Sequence, residues 1–177
     1  PPISITGAQA LKGIHYDLPM ASAQMKSGIL LAGLWAEGET SVTEPEPTRD
    51  HTERMLRAFG YDVKTEGNRI SLQGGGKLVG TEIQVPSDIS SAAFFMVGAA
   101  ITKGSDVTLE AVGINPTRTG VIEILKQMGA DLTVENERIA GGEPIADIRI
   151  RGSRTLKGIH MPEDQVPLAI DEFPALF

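Results

Sequence analysis

Two stretches of this chain are apolar on nearly every side. Residues 22–35, SAQMKSGILLAGLW, carry one charge, Lys26, and residues 90–101, SSAAFFMVGAAI, carry none. A helix without a polar face needs neighbours all round it, so both stretches predict buried helices. One turn into the first, Lys26 is read as a side chain that snorkels to solvent along its own stem. A second, amphipathic helix follows each. Val121, Ile124, Leu125 and Met128 repeat at the i, i+3, i+4, i+7 spacing of one buried face. Gly60 and Gly129 stand where a left-handed residue ends a helix. Asp50 and Glu53 have the spacing of an N-cap and its reciprocal partner. Alternating strands close each passage, Asp62–Thr65 with Arg69–Leu72, and Asp131–Val134 with Ile148–Ile150.

The two passages are copies of one unit. Leu11-Lys12-Gly13-Ile14-His15 recurs letter for letter as Leu156-Lys157-Gly158-Ile159-His160. Between them, Leu18-Pro19, Gly38, Thr48-Arg49 and Gly60-Tyr61-Asp62-Val63 match Val85-Pro86, Gly104, Thr117-Arg118 and Gly129-Ala130-Asp131-Leu132. Gly38 and Gly104 are 66 positions apart, Arg49 and Arg118 69. The unit reads strand, buried helix, strand, amphipathic helix, strand, strand, an α/β (α+β) class of βαβαββ repeats. The count is one unit short of its lead-in strand, one complete unit and the opening of a third. Several such units must pack together, with the buried helices at the centre. Gly74-Gly75-Gly76-Lys77 is followed by Leu78 and lacks the spacing of a phosphate-binding P-loop, so it reads as a hairpin connection. Gly141-Gly142 reads as a turn.

Composition narrows the chemistry. There is no cysteine, which excludes disulfides, thiolate catalysis and Cys-ligated metal. The net charge of −7 argues against a nucleic-acid surface, which carries a basic excess. No apolar run is long enough for a membrane span, and Pro1-Pro2-Ile3-Ser4 is no signal peptide. The expectation is a soluble, intracellular protein. His15, His51 and His160 have no ligand spacing. Asp171 to Phe177 reads as the first turn of an apolar helix that stops before any cap, so the chain is expected to be an internal piece of something longer.

Four segments carry a family resemblance. They are Leu18-Pro19-Met20-Ala21-Ser22-Ala23-Gln24-Met25-Lys26-Ser27, Thr48-Arg49-Asp50-His51-Thr52-Glu53-Arg54-Met55-Leu56, Val85-Pro86-Ser87-Asp88-Ile89-Ser90-Ser91-Ala92-Ala93-Phe94 and Ile170-Asp171-Glu172-Phe173-Pro174. Asn115-Pro116-Thr117-Arg118-Thr119-Gly120 is a weaker fifth. In this order they resemble the bacterial 5-enolpyruvylshikimate-3-phosphate synthases. The resemblance implies the two-lobed inverse α/β barrel fold of enolpyruvyl transferases, incomplete here. Residues 1–85 would belong to one lobe and 86–177 to the other, truncated at its C-terminal end.

The implied reaction transfers the enolpyruvyl group of phosphoenolpyruvate to the 5-hydroxyl of shikimate 3-phosphate and releases phosphate, with no metal or organic cofactor. The partners are those two small molecules, with no nucleic acid and no membrane, and the parent is a cytoplasmic monomer. The start of a helix suits a phosphate, because its amides are unpaired and the dipole is positive there. By resemblance, Ser22 and the Ala23 main chain hold the phosphate of shikimate 3-phosphate and Gln24 contacts its ring. Arg49 pairs with the same phosphate, for which a planar guanidinium is well shaped. Asp171 hydrogen-bonds the shikimate hydroxyls as part of the substrate-binding set, takes the proton from the 5-hydroxyl and is the expected catalytic residue. Ser22 and Asp171 would each also serve as ordinary helix caps. Asp88 is read as a cap alone, and Arg118, at the repeat position of Arg49, is given no ligand role.

The family's other cationic segments do not occur in the chain: its N-terminal Lys-Ser lysine, its glycine-rich loop with an arginine, and its later Lys-Glu and arginine segments. They supply most of the phosphoenolpyruvate site, so the chain alone is expected to be inactive and to bind the inhibitor glyphosate poorly. Ser87 stands where many relatives have glycine. Two alternatives stay open at this stage. One is the related enolpyruvyl transferase acting on UDP-N-acetylglucosamine, against which Ser22-Ala23-Gln24 and Thr48–Leu56 speak. The other is a non-catalytic repeat scaffold with a partner-binding face.

Overall fold

The computed structural model describes residues 2–4, 6–7, 10–152, 155–161 and 163–177. The chain divides into two compact units, Pro1–Thr81 and Glu82–Phe177.

The first unit is one complete βαβαββ repeat. Strand β1 (His15–Asp17) leads into helix α1 (Ala23–Gly33), strand β2 (Glu39–Thr43), helix α2 (His51–Ala58) and the hairpin of β3 (Val63–Glu66) and β4 (Arg69–Gln73). The sheet order is β1-β2-β4-β3, parallel between β1 and β2 and antiparallel elsewhere. Leu30 and Leu34 of the α1 segment, Val42 of β2, Leu56 of α2 and Ile70 and Leu72 of β4 close the core. Gly33 lets α1 lie close on β2, because a Cβ there would sit 2.7 Å from that of Thr40.

The second unit repeats this order with one change. Helix α3 (Ile89–Ile101), strand β5 (Asp106–Gly113), helix α4 (Gly120–Gln127) and strands β6 (Asp131–Ala140) and β7 (Glu143–Arg151) form a sheet of order β5-β7-β6. Its lead-in is reduced to a single parallel bridge between Ser87 and Val112. The expected count is therefore reversed: the first unit has its full lead-in strand, and it is the second whose lead-in shrinks to one bridge. Beyond β7, a 3-10 turn (Glu163–Gln165), α5 (Val166–Ala169), a 3-10 turn (Ile170–Glu172) and α6 (Phe173–Leu176) pack back on the unit. Ala175 and Leu176 touch the core built from Ala93, Met96, Val121, Leu125, Ile148 and Ile150.

The two outer strands of the second sheet are bulged, at Leu109/Val112 in β5 and at Glu135/Arg138 in β6. Among the described residues, the two with positive φ other than glycine, Ala111 (52°) and Asn136 (53°), lie in these bulges. One carboxylate on the central strand serves both. Asp147 Oδ1 accepts from the Ala111 amide at 2.9 Å, and its Oδ2 from Asn136 Nδ2 at 2.9 Å. These bonds hold the Asp147 carboxyl below the ordinary carboxylate range, the Ala111 amide contributing most.

Three expectations need correcting. The apolar helices are covered on one face only within their own units: Met25, Leu31 and Trp35 remain exposed around α1, and Phe94, Phe95 and Ile101 around α3. Gly74–Gly76 does not connect a hairpin. It turns the chain back under α1, with the Gly74 amide on Gly38 O and the Gly75 amide on Leu34 O. Asp50 and Glu53 form no capping box. Asp50 gives no side-chain cap and instead accepts from Arg54 Nε at 2.8 Å, while Glu53 turns into the core. Charged partners are stronger than a backbone amide, and they win both side chains. The Gly141-Gly142 turn stands as expected between β6 and β7.

Candidate functional site

The start of α1 is built as its sequence suggests. Ser22 is extended (φ −149°, ψ 104°), and its Oγ accepts from the Met25 amide at 3.3 Å. Ala23 and Gln24 open the helix, Gln24 exposed, and no acidic residue occupies the first turn. The positive end of α1 is thus capped by a neutral hydroxyl. Arg49, partly buried, lies two residues before α2.

Beneath these residues lies a buried ionic group that sequence reasoning missed. Lys26 is 1% exposed, and its Nζ lies 2.7 Å from Glu53 Oε1 and 3.1 Å from Glu44 Oε2. Both glutamates are buried as well. Thr48 Oγ1 donates to Glu44 Oε1, and Ser27 Oγ pairs with Thr52 Oγ1 at 2.7 Å. Lys26 therefore does not snorkel. The first turn of α1, the exit of β2 and the first turn of α2 meet around its ammonium group. A lone lysine within an otherwise apolar helix was the available signal. Buried ammonium groups need carboxylate partners, and Glu44 and Glu53 lie nearby in sequence.

The second unit carries the repeat-equivalent constellation, filled from within. Asp88 caps α3, accepting from the Ser90 and Ser91 amides at 3.3 and 2.9 Å and from Ser91 Oγ at 2.9 Å. Partial burial opposes its ionisation. The Ser91 and Ser90 hydrogen bonds and the Arg118 charge outweigh that and hold the carboxyl below its ordinary range. The capping role read for Asp88 is present. Arg118 Nη2 donates to Ser90 Oγ at 2.5 Å and lies 3.7 Å from Glu172 Oε1, while its Nη1 lies 3.7 Å from Asp88 Oδ1. Ser90 Oγ also meets Glu172 Oε1 at 2.5 Å. Glu172 is buried and Asp171, beside it, is exposed. The buried glutamate thereby anchors the turn that presents Asp171.

Ser22, Ala23, Gln24 and Arg49 thus share the first unit, and Asp171 stands in the second. The second unit also has an open cleft of about 390 Å³ beside the start of α3, lined by Ser87, Asp88, Ser91, Phe95, Glu110 and Val112 among others. Its charged lining is acidic, so it does not suit a phosphate. Among the described residues, no group of three or more His, Cys, Asp or Glu is placed to hold a metal ion. His15 serves structure, its Nδ1 2.8 Å from Ser41 Oγ and its Nε2 3.1 Å from Asp17 Oδ1. No helix among the described residues is long and apolar enough to cross a membrane.

Comparison with known proteins decides the family. The family model described as EPSP synthase (3-phosphoshikimate 1-carboxyvinyltransferase) matches residues 1–177. The chain belongs to the EPSP synthase family. It is 67% identical over 176 residues to the 3-phosphoshikimate 1-carboxyvinyltransferase of Methylococcus capsulatus, covering 99% of this chain and 40% of that protein. It superposes on a solved EPSP synthase from Acinetobacter baumannii with a TM-score of 0.93 at 93% identity, covering 99% of this chain and 40% of that one. The enolpyruvyl transferase NikO from Streptomyces tendae, 18% identical, shares the fold alone, with a TM-score of 0.64 over 93% of this chain and 42% of that one. The fold is thus the α/β fold of the enolpyruvyl transferases, incomplete here. The chain spans about 40% of the length of the curated relatives it matches.

Proposed function

We propose that this chain is the part of an EPSP synthase that carries its shikimate 3-phosphate half-site and one catalytic carboxylate. The parent enzyme would transfer the enolpyruvyl group of phosphoenolpyruvate to the 5-hydroxyl of shikimate 3-phosphate and release phosphate, in the shikimate pathway of a cytoplasm. It would act as a monomer. Residues 1–85 would form part of one lobe and residues 86–177 part of the other.

The observation that carries the reading is the contrast between two equivalent helix starts. Asp88 and Glu172 supply anions to Arg118 at the start of α3. At α1 the cap is the uncharged Ser22, and the first turn has no acid. A helix start capped by a neutral residue can accept an external anion, while one capped by an aspartate already holds its own. Ser22 Oγ and the Ala23 amide would take the phosphate, Arg49 would pair with it, and Gln24 would meet the ring.

Asp171 would accept the 5-hydroxyl proton as that oxygen attacks the enolpyruvyl carbon. The enol methylene would gain a proton and become a methyl group, giving a tetrahedral adduct; that methyl would then give up a proton as phosphate leaves, which restores the carbon–carbon double bond in the enolpyruvyl ether. Asp171 is exposed, so it can reach a bound substrate, while buried Glu172 fixes its turn. The cationic groups for phosphoenolpyruvate would come from segments outside this chain. In the complete enzyme, Asp171→Asn should cut kcat by about 100-fold or more, the usual worth of a positioned general base, and should also weaken shikimate 3-phosphate binding, because the same carboxylate would accept from the ring hydroxyls. Wild-type turnover in that variant would remove Asp171 from the chemistry. The chain alone should release no phosphate from the two substrates, and sustained release by a homogeneous preparation would refute the assignment of the missing groups.

A further inference from the structure

We infer that Lys26, Glu44 and Glu53 are positioning residues for the phosphate half-site, acting on Arg49 through Thr48. The inference rests on the reading of Ser22, Ala23, Gln24 and Arg49 given above.

Burying three ionisable groups is a poor way to gain stability. Such groups can often be exchanged for apolar ones without loss, because desolvation offsets their attraction. The triad is also not fully satisfied, since Glu53 Oε2 is buried and has no hydrogen-bond partner among the described residues. Its geometry suggests what it does instead.

Residues 44–48 read Glu-Pro-Glu-Pro-Thr. Two prolines lack the amides that would tie this segment to a neighbouring strand. The segment leaves the sheet after Glu44, whose amide is bonded to Asn68 O at 2.9 Å. At its far end Thr48 hangs from the side chain of that same Glu44. A carboxylate thus closes the loop that the backbone cannot close. Lys26 locks Glu44 from the first turn of α1, four residues beyond the Ser22 cap. Glu53 locks the same ammonium from the first turn of α2, just after Arg49. Ser27 and Thr52 add a second strut one residue along from Lys26 and Glu53. The start of α1 and the entry to α2 are therefore fixed to each other through Lys26. Any ligand spanning Ser22 and Arg49 would depend on that spacing.

The test uses calorimetric titration of shikimate 3-phosphate into the chain, with melting temperatures measured in parallel. Lys26→Met alone strands two buried glutamates and will tend to unfold. The informative variants are therefore the neutral, shape-matched triple Lys26→Met, Glu44→Gln, Glu53→Gln, and the pair Thr48→Val and Thr48→Ser. The triple variant and Thr48→Val should fold and weaken the affinity roughly 10- to 100-fold, the usual effect of a small misplacement of a binding group. Thr48→Ser, which keeps the hydroxyl, should bind like the wild type. Folded Thr48→Val and triple variants with wild-type affinity would overturn the inference while leaving the phosphate half-site standing. A wild-type chain that ignores shikimate 3-phosphate would bring down the half-site and this inference together.

Discussion

Asp88 caps α3 at the repeat position where Ser22 caps α1, a carboxylate in one unit and a hydroxyl in the other. Serine and aspartate are nearly equal as helix caps, but only aspartate repels an anion. Ser22→Asp should therefore leave the melting temperature within a degree or two and abolish binding of shikimate 3-phosphate. The expected loss exceeds about 100-fold, because two unit charges 4 Å apart repel by about 4 kcal/mol at an effective dielectric constant of 20. Unchanged affinity in Ser22→Asp would show that Ser22 is only a cap. Thermal scans and titration of the same preparation give both readings.

Gly152 and Gly74 end the last strand of each unit and pass beneath the end of the apolar helix. A Cβ on Gly152 would lie 1.8 Å from Thr102 O, and one on Gly74 would lie 1.9 Å from Ala36 O. Neither oxygen can move without its helix end. Gly152→Ala should cost about 3 kcal/mol, the upper end for overpacking. Gly28→Ala, within α1 where a Cβ meets nothing within 4 Å, should instead add about 0.5–1 kcal/mol. Chemical denaturation of both variants measures the difference, and equal midpoints would contradict the packing described.

These glycines mark where the repeat was legible and where it was not. Gly38 aligns with Gly104 and Arg49 with Arg118 in the sequence because the passages up to the second helix differ by only a few residues between units. Gly74 and Gly152 are 78 positions apart and fell out of that register. The β6–β7 hairpin, with strands of ten and nine residues against four and five in β3 and β4, absorbs the difference. Local apolar period revealed both long helices and most strands. It could not reveal that their outward faces stay exposed within each unit, because a pattern records what a helix tolerates and not which neighbours are present. Lys26 was misread for a related reason. Its partners come from two other elements, and only the fold brings Glu44 and Glu53 to it. The candidate site residues rest on resemblance alone, since Ser22 as a cap and Arg49 as a surface arginine carry no distinctive period.

Asp147 makes the second unit sensitive to acid. Its carboxyl is depressed in the folded protein by the Ala111 amide first and by Asn136 next. A depressed carboxyl binds fewer protons when folded than when unfolded, so stability rises with pH across this window. The contribution is complete above the unfolded value, about 3.9, and is lost as pH falls through the lower folded value. Melting temperature followed from neutral pH to below pH 3 should fall more steeply for the wild type than for Asp147→Asn. Parallel curves would mean that the carboxylate does not hold the two bulges.

The central claim is that this chain carries a half-site for shikimate 3-phosphate, and calorimetric titration tests it most directly. Shikimate 3-phosphate is titrated into the folded chain, with inorganic phosphate and UDP-N-acetylglucosamine as controls and Arg49→Met as the variant. The account predicts saturable binding of shikimate 3-phosphate alone, weakened roughly 10- to 100-fold in Arg49→Met by loss of a charge-assisted hydrogen bond worth about 1.5–3 kcal/mol. A folded chain that binds none of the three, or does not distinguish shikimate 3-phosphate from inorganic phosphate, would contradict it.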